Sequence, residues 1–308
     1  MRRVDELRAA LGRWGIGGLA GEVAALRAQV GDVQARAVRA LGPQAAGEAE
    51  FSVYSQFGED GIIQWLLAHV PIETDVFVEF GVEDYTESNT RFLLEHDNWR
   101  GLVIDGNDEH RAFLRRSGLA WRHQIEALTA FVDRDNIDSL IRSAGISGDI
   151  GLLSIDIDGN DLWVLQATES IDPRILITEY NSVFGAEAAV TVPYDPAFRR
   201  ASAHPSHLLW GASLAALERV AREKGYALVA GNAAGNNAFW VRRDVLGALP
   251  EIGVAGTWRP SRFRESRAAD GSLTLIGNHR DRLAAMRDGV LWDLDAQAEV
   301  SVGARFGV

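Results

Sequence analysis

From Phe51 onward, short apolar runs alternate with stretches whose apolar positions recur every three or four residues. The runs predict strands at DVFVEFG (75–81), GLVIDG (101–106), HQIEAL (123–128), IGLLSID (150–156) and RILITEY (174–180). Between them the helical period predicts helices over Glu59–His69, where Ile62, Ile63, Leu66 and Leu67 form one face, and over 88–96, Glu109–Ser117 and 135–144. A short helix follows Asn160, and a longer one spans 211–224, with Gly145 and Gly225 placed to close the helices before them. Such alternation means a parallel sheet with helices on both faces. The last two strands, YALVAG (226–231) and NAFWVRR (237–243), are joined by a turn too short for a crossover. They must pair as an antiparallel hairpin at the sheet edge. The closing 60 residues, with Trp258, Pro260 and RPSRFRESR, read as irregular.

Residues 1–46 have a different texture, rich in Ala, Arg, Glu and Leu. Leu19, Val23, Leu26, Val30 and Val33 step by four and three, which is heptad spacing; Ala37 and Ala40 continue it weakly until Pro43. Gly15, Gly17, Gly18, Gly21 and Gly31 weaken the helix. The segment is either a short coiled coil that joins subunits into a homo-oligomer or docks a partner, or an amphipathic helix lying on its own domain. The expected division is a helical extension at 1–46 and one α/β domain at 51–308.

Composition narrows the classes. A formal charge of −12 disfavours sequence-independent nucleic-acid binding. The absence of cysteine removes disulfides and thiolate metal sites. No apolar run approaches the roughly 18 residues of a membrane helix. MRRVDELRAALGRW lacks a signal-peptide core, so a cytoplasmic protein is expected.

In an open parallel sheet, ligands sit beyond the C-terminal strand ends. There the chain places Glu79-Phe80-Gly81, Asp105-Gly106-Asn107, Glu126-Ala127, the acidic stretch Asp156–Asp161, and Glu179-Tyr180-Asn181. The Asp-x-Asp-x-Asn start at Asp156 suggests a calcium loop. The Gly and Glu that such a loop requires are replaced by Asp161 and Ala167, so that reading fails. No strand is followed by G-x-G-x-x-G or a Walker loop, as a nicotinamide-dependent oxidoreductase or a nucleotide-binding enzyme would need. A rim of acids suits a ligand with ribose hydroxyls, an adenine and a cationic centre better than a pyrophosphate.

FVEFGVEDYTESN, GLVIDGN, SIDIDGND and ITEYN, with SVYSQFGEDGII upstream, resemble the FkbM-type class I methyltransferases over roughly residues 51–243. The resemblance implies a Rossmann-like methyltransferase sheet, S-adenosylmethionine as methyl donor, and a hydroxyl of a sugar, glycan or glycosylated metabolite as acceptor. Motif I keeps only Gly81 of the glycines common in such enzymes. On this reading Asp105 and Gly106 meet the ribose, Glu79 and Gly81 the methionine end, and Glu126 the adenine. Ser88 and Asn89 either reach the methionine carboxylate or cap the next helix, and Gln56 and Glu59 line the pocket if residues 52–61 fold over it. Asp156 and Asp158 sit where a base or metal ligand is needed, or else only shape the loop. Asp156, Glu179 and Asn181 form a candidate oxygen set for Mg²⁺. His204 or His207, in the long connection before the 211–224 helix, is a candidate acceptor-side base. Tyr180, His207 and Asn237 are candidate acceptor contacts, and Arg259, Arg262, Arg264 and Arg267 either hold an anionic acceptor or form a solvated face. A non-catalytic binding module, with the N-terminal helix as its working part, is the competing reading.

Overall fold

The computed structural model of the chain describes residues 17–308. Its main sheet has seven strands in the order β3-β2-β1-β4-β5-β8-β7. They are β1 (Val76–Phe80), β2 (Arg100–Asp105), β3 (Ile125–Thr129), β4 (Gly148–Ile155), β5 (Ile171–Glu179), β7 (Tyr226–Gly231) and β8 (Asn237–Arg242). Strands β1 to β5 run parallel, and β8 lies antiparallel between β5 and β7. The expected hairpin edge is therefore present, making a Rossmann-like sheet with an antiparallel margin.

Alternation along each strand separates two cores. Val76, Val78 and Phe80 face the side packed by helices Ile137–Ser143, Asp161–Ala167 and Leu214–Glu223. Phe77 points the other way, with Val103, toward helices Glu59–His69, Arg91–Glu95 and Glu109–Ser117. Both faces are covered, so β1 is buried at every position and reads as an uninterrupted apolar run apart from Glu79. From β1 the chain winds out to β2 and β3, then returns to β4 on β1's other side. The crevice between β1 and β4 is the switch point of the sheet.

Three expectations change. The third strand ends at Thr129, not 128, and Glu126 lies within it, paired with Leu102. The helix expected at 88–96 begins only at Arg91, because residues 88–90 are bound to Glu79. The closing region is irregular only over 258–278, which includes Trp258, Pro260 and RPSRFRESR. It supplies helices Gly253–Thr257, His279–Ala285 and Val302–Phe306, and strands β9 (Val290–Asp293) and β10 (Ala298–Ser301). These strands join β6 (Val190–Thr191) in an antiparallel sheet, over a small core including Phe184, Leu208, Met286 and Leu291. Strands this short leave no period in the sequence, and β6 meets its partner β9 only through the fold.

Helix Gly17–Arg39 reaches the body of the protein through Gly31, Ala35 and Val38, all buried. A Cβ on Gly31 would stand 2.5 Å from Val53, so only glycine permits this approach. Arg39 reaches Asp97 at 2.6 Å, and Asp32 meets His96 at 3.2 Å. The heptad residues are on the opposite side. Leu19, Val23, Leu26, Val30 and Val33 are 55–65% exposed. Among the described residues, no helix is long and apolar enough to cross a membrane.

Candidate active site

A cavity of about 400 Å³ opens at the β1–β4 switch point. Its walls come from the residues that follow β1, β2, β3 and β4, together with the segment before helix Glu59–His69 and the connection after β6. Of the residues singled out in the sequence, Gln56, Glu59, Glu79, Gly81, Ser88 and Asn89 line it, as do Asp105, Gly106, Asp156, Asp158 and Asn237.

Gly81 fixes the geometry. Its φ of +76° is in the left-handed region, and a Cβ there would fall 1.5 Å from the carbonyl oxygen of Asp156. The end of β1 thus passes directly against the end of β4, a reason different from close approach to a ligand. Glu83 and Tyr85 also adopt positive φ, so the loop after β1 is tightly wound and strained. That strain is held by Asp105, whose Oδ2 accepts the Glu83 amide at 2.8 Å. Its Oδ1 accepts the backbone and side-chain N–H groups of Asn107 at 2.9 and 2.7 Å.

Glu79 is buried and heavily bonded. Its Oε2 accepts Ser88 Oγ at 2.6 Å, the Thr90 amide at 3.2 Å and the Thr90 hydroxyl, and its Oε1 accepts the Asn89 amide at 2.9 Å. Burial raises its pKa against these bonds. Asn89 Nδ2 donates to Ser154 Oγ on β4 at 3.1 Å, tying the two sides of the crevice. Ser88 therefore supports Glu79 and caps no helix.

The segment before helix Glu59–His69 does fold over the sheet edge. Asp60 Oδ2 accepts the amides of Val53, Tyr54 and Ser55 at 2.6, 2.7 and 3.0 Å, and burial pushes its pKa up to about 6. Glu59 Oε1 accepts Nδ2 of Asn232 at 2.7 Å and of Asn237 at 2.9 Å. Asn237 Oδ1 is left buried without a partner. A buried carbonyl oxygen of this kind is costly unless a donor comes to it, and here it belongs to a cavity-lining residue.

The acidic stretch divides by role. Asp161 holds the loop, its Oδ1 accepting the Ile157 amide at 2.9 Å and its Oδ2 the Gly159 amide at 2.8 Å; burial pushes its pKa to about 6. Asp158, at φ +56°, pairs with Arg200 at 2.9 Å, and Asn160 Nδ2 donates to the Asp195 carbonyl at 2.8 Å. These two clamp the segment carrying Phe198 and Arg199 over the cavity. Asp156 remains. It lies beside Glu179, following the β4–β5 pairing of Ile155 with Thr178. Glu179 Oε2 is buried with no other hydrogen-bond partner, and the two carboxyls lie close enough for a single proton to join them. Burial first, then the charges of Asp158 and Asp161, raises Asp156 well above the carboxylate range against the lowering effect of Glu179; burial first, then the charge of Asp156, raises Glu179 likewise.

The remaining predicted residues lie elsewhere. Glu126 is exposed in mid-strand, three residues short of the edge where β3 meets the cavity, so it does not reach an adenine there. Asn181 has no free ligand atom: its Oδ1 accepts the Val183 amide at 3.1 Å, and its Nδ2 donates to the carbonyls of Leu208 and Trp210 at 2.9 and 3.0 Å. Among the described residues, no group of three His, Cys, Asp or Glu side chains is arranged to hold a metal ion. The Asp156–Glu179–Asn181 set therefore does not fit Mg²⁺. Tyr180 is fully buried, with its hydroxyl on the Arg259 amide at 3.3 Å and burial pushing its pKa to about 12. His204 is turned to the closing region, its ring nitrogens meeting Ser206 Oγ at 2.8 Å and Asp288 at 3.1 Å. His207 sits at φ +56°, its carbonyl accepting Arg200 Nε at 3.1 Å, and does not line the cavity.

Asn107, named at the end of β2, also lines the cavity, and Phe131 and Arg199 line it without having been singled out. Phe131 is 38% exposed, and the Arg199 guanidinium stands 4.7 Å from its ring centre. The signal for Phe131 was available, since the rule of reading just past each strand end finds it once β3 is extended to Thr129. Arg199 had none; only the fold brings it across. Among the described lining residues, Arg199 is the one cation against seven carboxylates, those of Glu59, Glu79, Glu83, Glu87, Asp105, Asp156 and Asp158.

No protein-family model matches the chain, and no curated protein does. Among solved structures it is similar to the N-terminal domain of EvdMO1, solved in the presence of SAH and D-fucose, at 12% identity and TM-score 0.35 over 55% of this chain and 75% of that one. It is also similar to an O-methyltransferase family protein from Burkholderia thailandensis, at 12% identity and TM-score 0.38, over 72% of this chain and 58% of that one. A third, an S-adenosylmethionine-dependent methyltransferase from Clostridium acetobutylicum, is 8% identical with TM-score 0.38, over 59% and 89%. With scores this low, function has to be argued from the cavity.

Proposed function

We propose that the chain is an S-adenosylmethionine-dependent O-methyltransferase acting on a hydroxyl of a sugar, glycan or glycosylated metabolite. The observation that carries this reading is the acid-lined cavity at the switch point, with Asp105 on one side and the proton-sharing Asp156–Glu179 pair on the other. A lining this rich in carboxyls and with one cation suits a diphosphate poorly, so a nicotinamide dinucleotide fits badly, and no glycine-rich phosphate turn follows β1. A nucleoside with a sulfonium centre fits the same lining. The lone pairs that Asp105 keeps beyond its three N–H donors accept ribose hydroxyls, and the exposed ring of Phe131 offers the adenine a flat apolar face.

The bound donor supplies a methyl group activated by its sulfonium charge. The transfer is an in-line displacement: the bond to sulfur breaks as the bond to the acceptor oxygen forms, and the hydroxyl proton must leave. Asp156 takes that proton, while Glu179, retaining its own, holds the Asp156 carboxylate in place. Asn237 Oδ1 accepts a hydrogen bond from the acceptor, and the Phe198–Arg199 segment keeps water out. No step runs through a metal ion, because Asn181 is committed elsewhere. The sugar assignment rests on the FkbM-type resemblance in residues 51–243.

Calorimetry of the intact chain with S-adenosylmethionine and with NAD tests the donor, and labelled methyl transfer to a panel of glycans tests the acceptor. Binding of the first ligand alone, followed by label in a glycan ether, is expected. Binding of NAD without S-adenosylmethionine would overturn the proposal.

A further inference from the structure

The heptad side of helix Gly17–Arg39 has no partner within the described chain. Residues 21–30 are exposed at every position, and this part of the helix nears the protein body only through Arg27, whose guanidinium stands 5.7 Å from the Tyr54 ring centre. An isolated helical stretch this short is marginal in water, and an apolar stripe on it is unfavourable unless covered. Counting Leu19 as d puts Val23 and Val30 at a, and Leu26 and Val33 at d. β-Branched residues at a with leucine at d favour a parallel two-stranded coiled coil.

The flanking positions agree. In a parallel pair each g residue faces the next e residue of the other helix. Here Glu22 at g meets Arg27 at e, an opposite-charge pair, and Gln29 at g meets Gln34 at e, a pair of amides. An antiparallel pair centred on Leu26 would instead bring the two Arg27 side chains together. The body-facing residues Gly31, Ala35 and Val38 occupy b, f and b, on the far side from the seam. Two copies can therefore join through a and d while each keeps its own helix docked. We propose that the chain dimerises through a parallel coiled coil built on Leu19, Val23, Leu26, Val30 and Val33, with Glu22–Arg27 pairs across it.

The test uses the full chain, without ligands. Sedimentation equilibrium should give twice the 33.6 kDa chain mass at tens of micromolar. Val23→Asp combined with Leu26→Asp, at exposed positions, should give the single-chain mass with unchanged thermal unfolding of the body. Because the protein has no cysteine, Val23→Cys should form a disulfide-linked dimer on mild oxidation, as identical a positions adjoin only in the parallel register. A monomeric wild type, a dimer that survives the double substitution, or Val23→Cys chains that do not cross-link would each overturn the proposal.

Discussion

The two sides of the switch point present the same residue type in opposite conditions. Asp105, ending β2, accepts three N–H groups and is partly open to solvent. Asp156, just past β4, is buried near Asp158 and Asp161, whose charges raise the cost of its own, and only the proton shared with Glu179 works the other way. One carboxylate is fixed in place by three N–H donors; the other is held close to neutrality by its neighbours. The first arrangement is suited to gripping hydroxyls, the second to gaining and losing a proton. What surrounds an aspartate, more than its place at a strand end, decides what it can do.

The strongest way to break this comparison is to remove what keeps the two sides at their spacing. Gly81→Ala imposes a side chain at positive φ and drives a methyl group into the Asp156 carbonyl. It should cost roughly 2–6 kcal/mol of stability, measured by denaturant unfolding. An alanine variant as stable as the parent would mean that the β1–β4 contact is loose and the cavity shape is not set by it.

Next come two substitutions that should separate cleanly. Asp156→Asn should lower the methyl-transfer rate about 10²–10⁴-fold while leaving S-adenosylmethionine affinity within about threefold. Asp105→Ala should do the reverse, weakening that affinity roughly 10–100-fold through the loss of charged hydrogen bonds. Calorimetry and single-turnover labelling measure the two quantities separately. If both variants lose binding equally, the division of labour between the two sides is wrong.

Much of this arrangement is legible in the sequence, for identifiable reasons. The buried parallel strands announce themselves as apolar runs, and helix Glu59–His69 and β7 have the bounds that their period and flanking residues predict. Gly81 and Asp105 were findable because a parallel sheet directs attention to its C-terminal strand ends. Glu126 misled because the edge strand IEALT is half-exposed, which blurs its end and hides Phe131 two residues beyond it. The cover of the cavity was not legible at all. Arg199 arrives there through the Asp158–Arg200 pair and the Asn160–Asp195 bond, contacts across more than thirty residues that leave no local pattern. His204, the attractive base in that stretch, is taken up by Asp288, which comes from a closing region whose strands carry no period.

The finest test changes one atom pair on the β4–β5 side. Because Asp156 is raised well above the carboxylate range, it is protonated at low pH and cannot accept the acceptor's proton. The transfer rate should therefore increase as pH rises through that raised value, placing the acidic limb of the profile above where an ordinary aspartate would put it. Glu179→Gln replaces the protonated carboxyl that supports the Asp156 carboxylate with an amide, a neutral and weaker donor. The ionised form of Asp156 loses part of its support, so the limb should move to higher pH with S-adenosylmethionine affinity preserved. Asp105→Asn, on the other side, should leave the limb where it is, since Asp105 does not touch the pair. A limb unmoved by Glu179→Gln would show that the proton leaves by another route, and the β4–β5 carboxyls would then be a structural pair on the wall of the cavity.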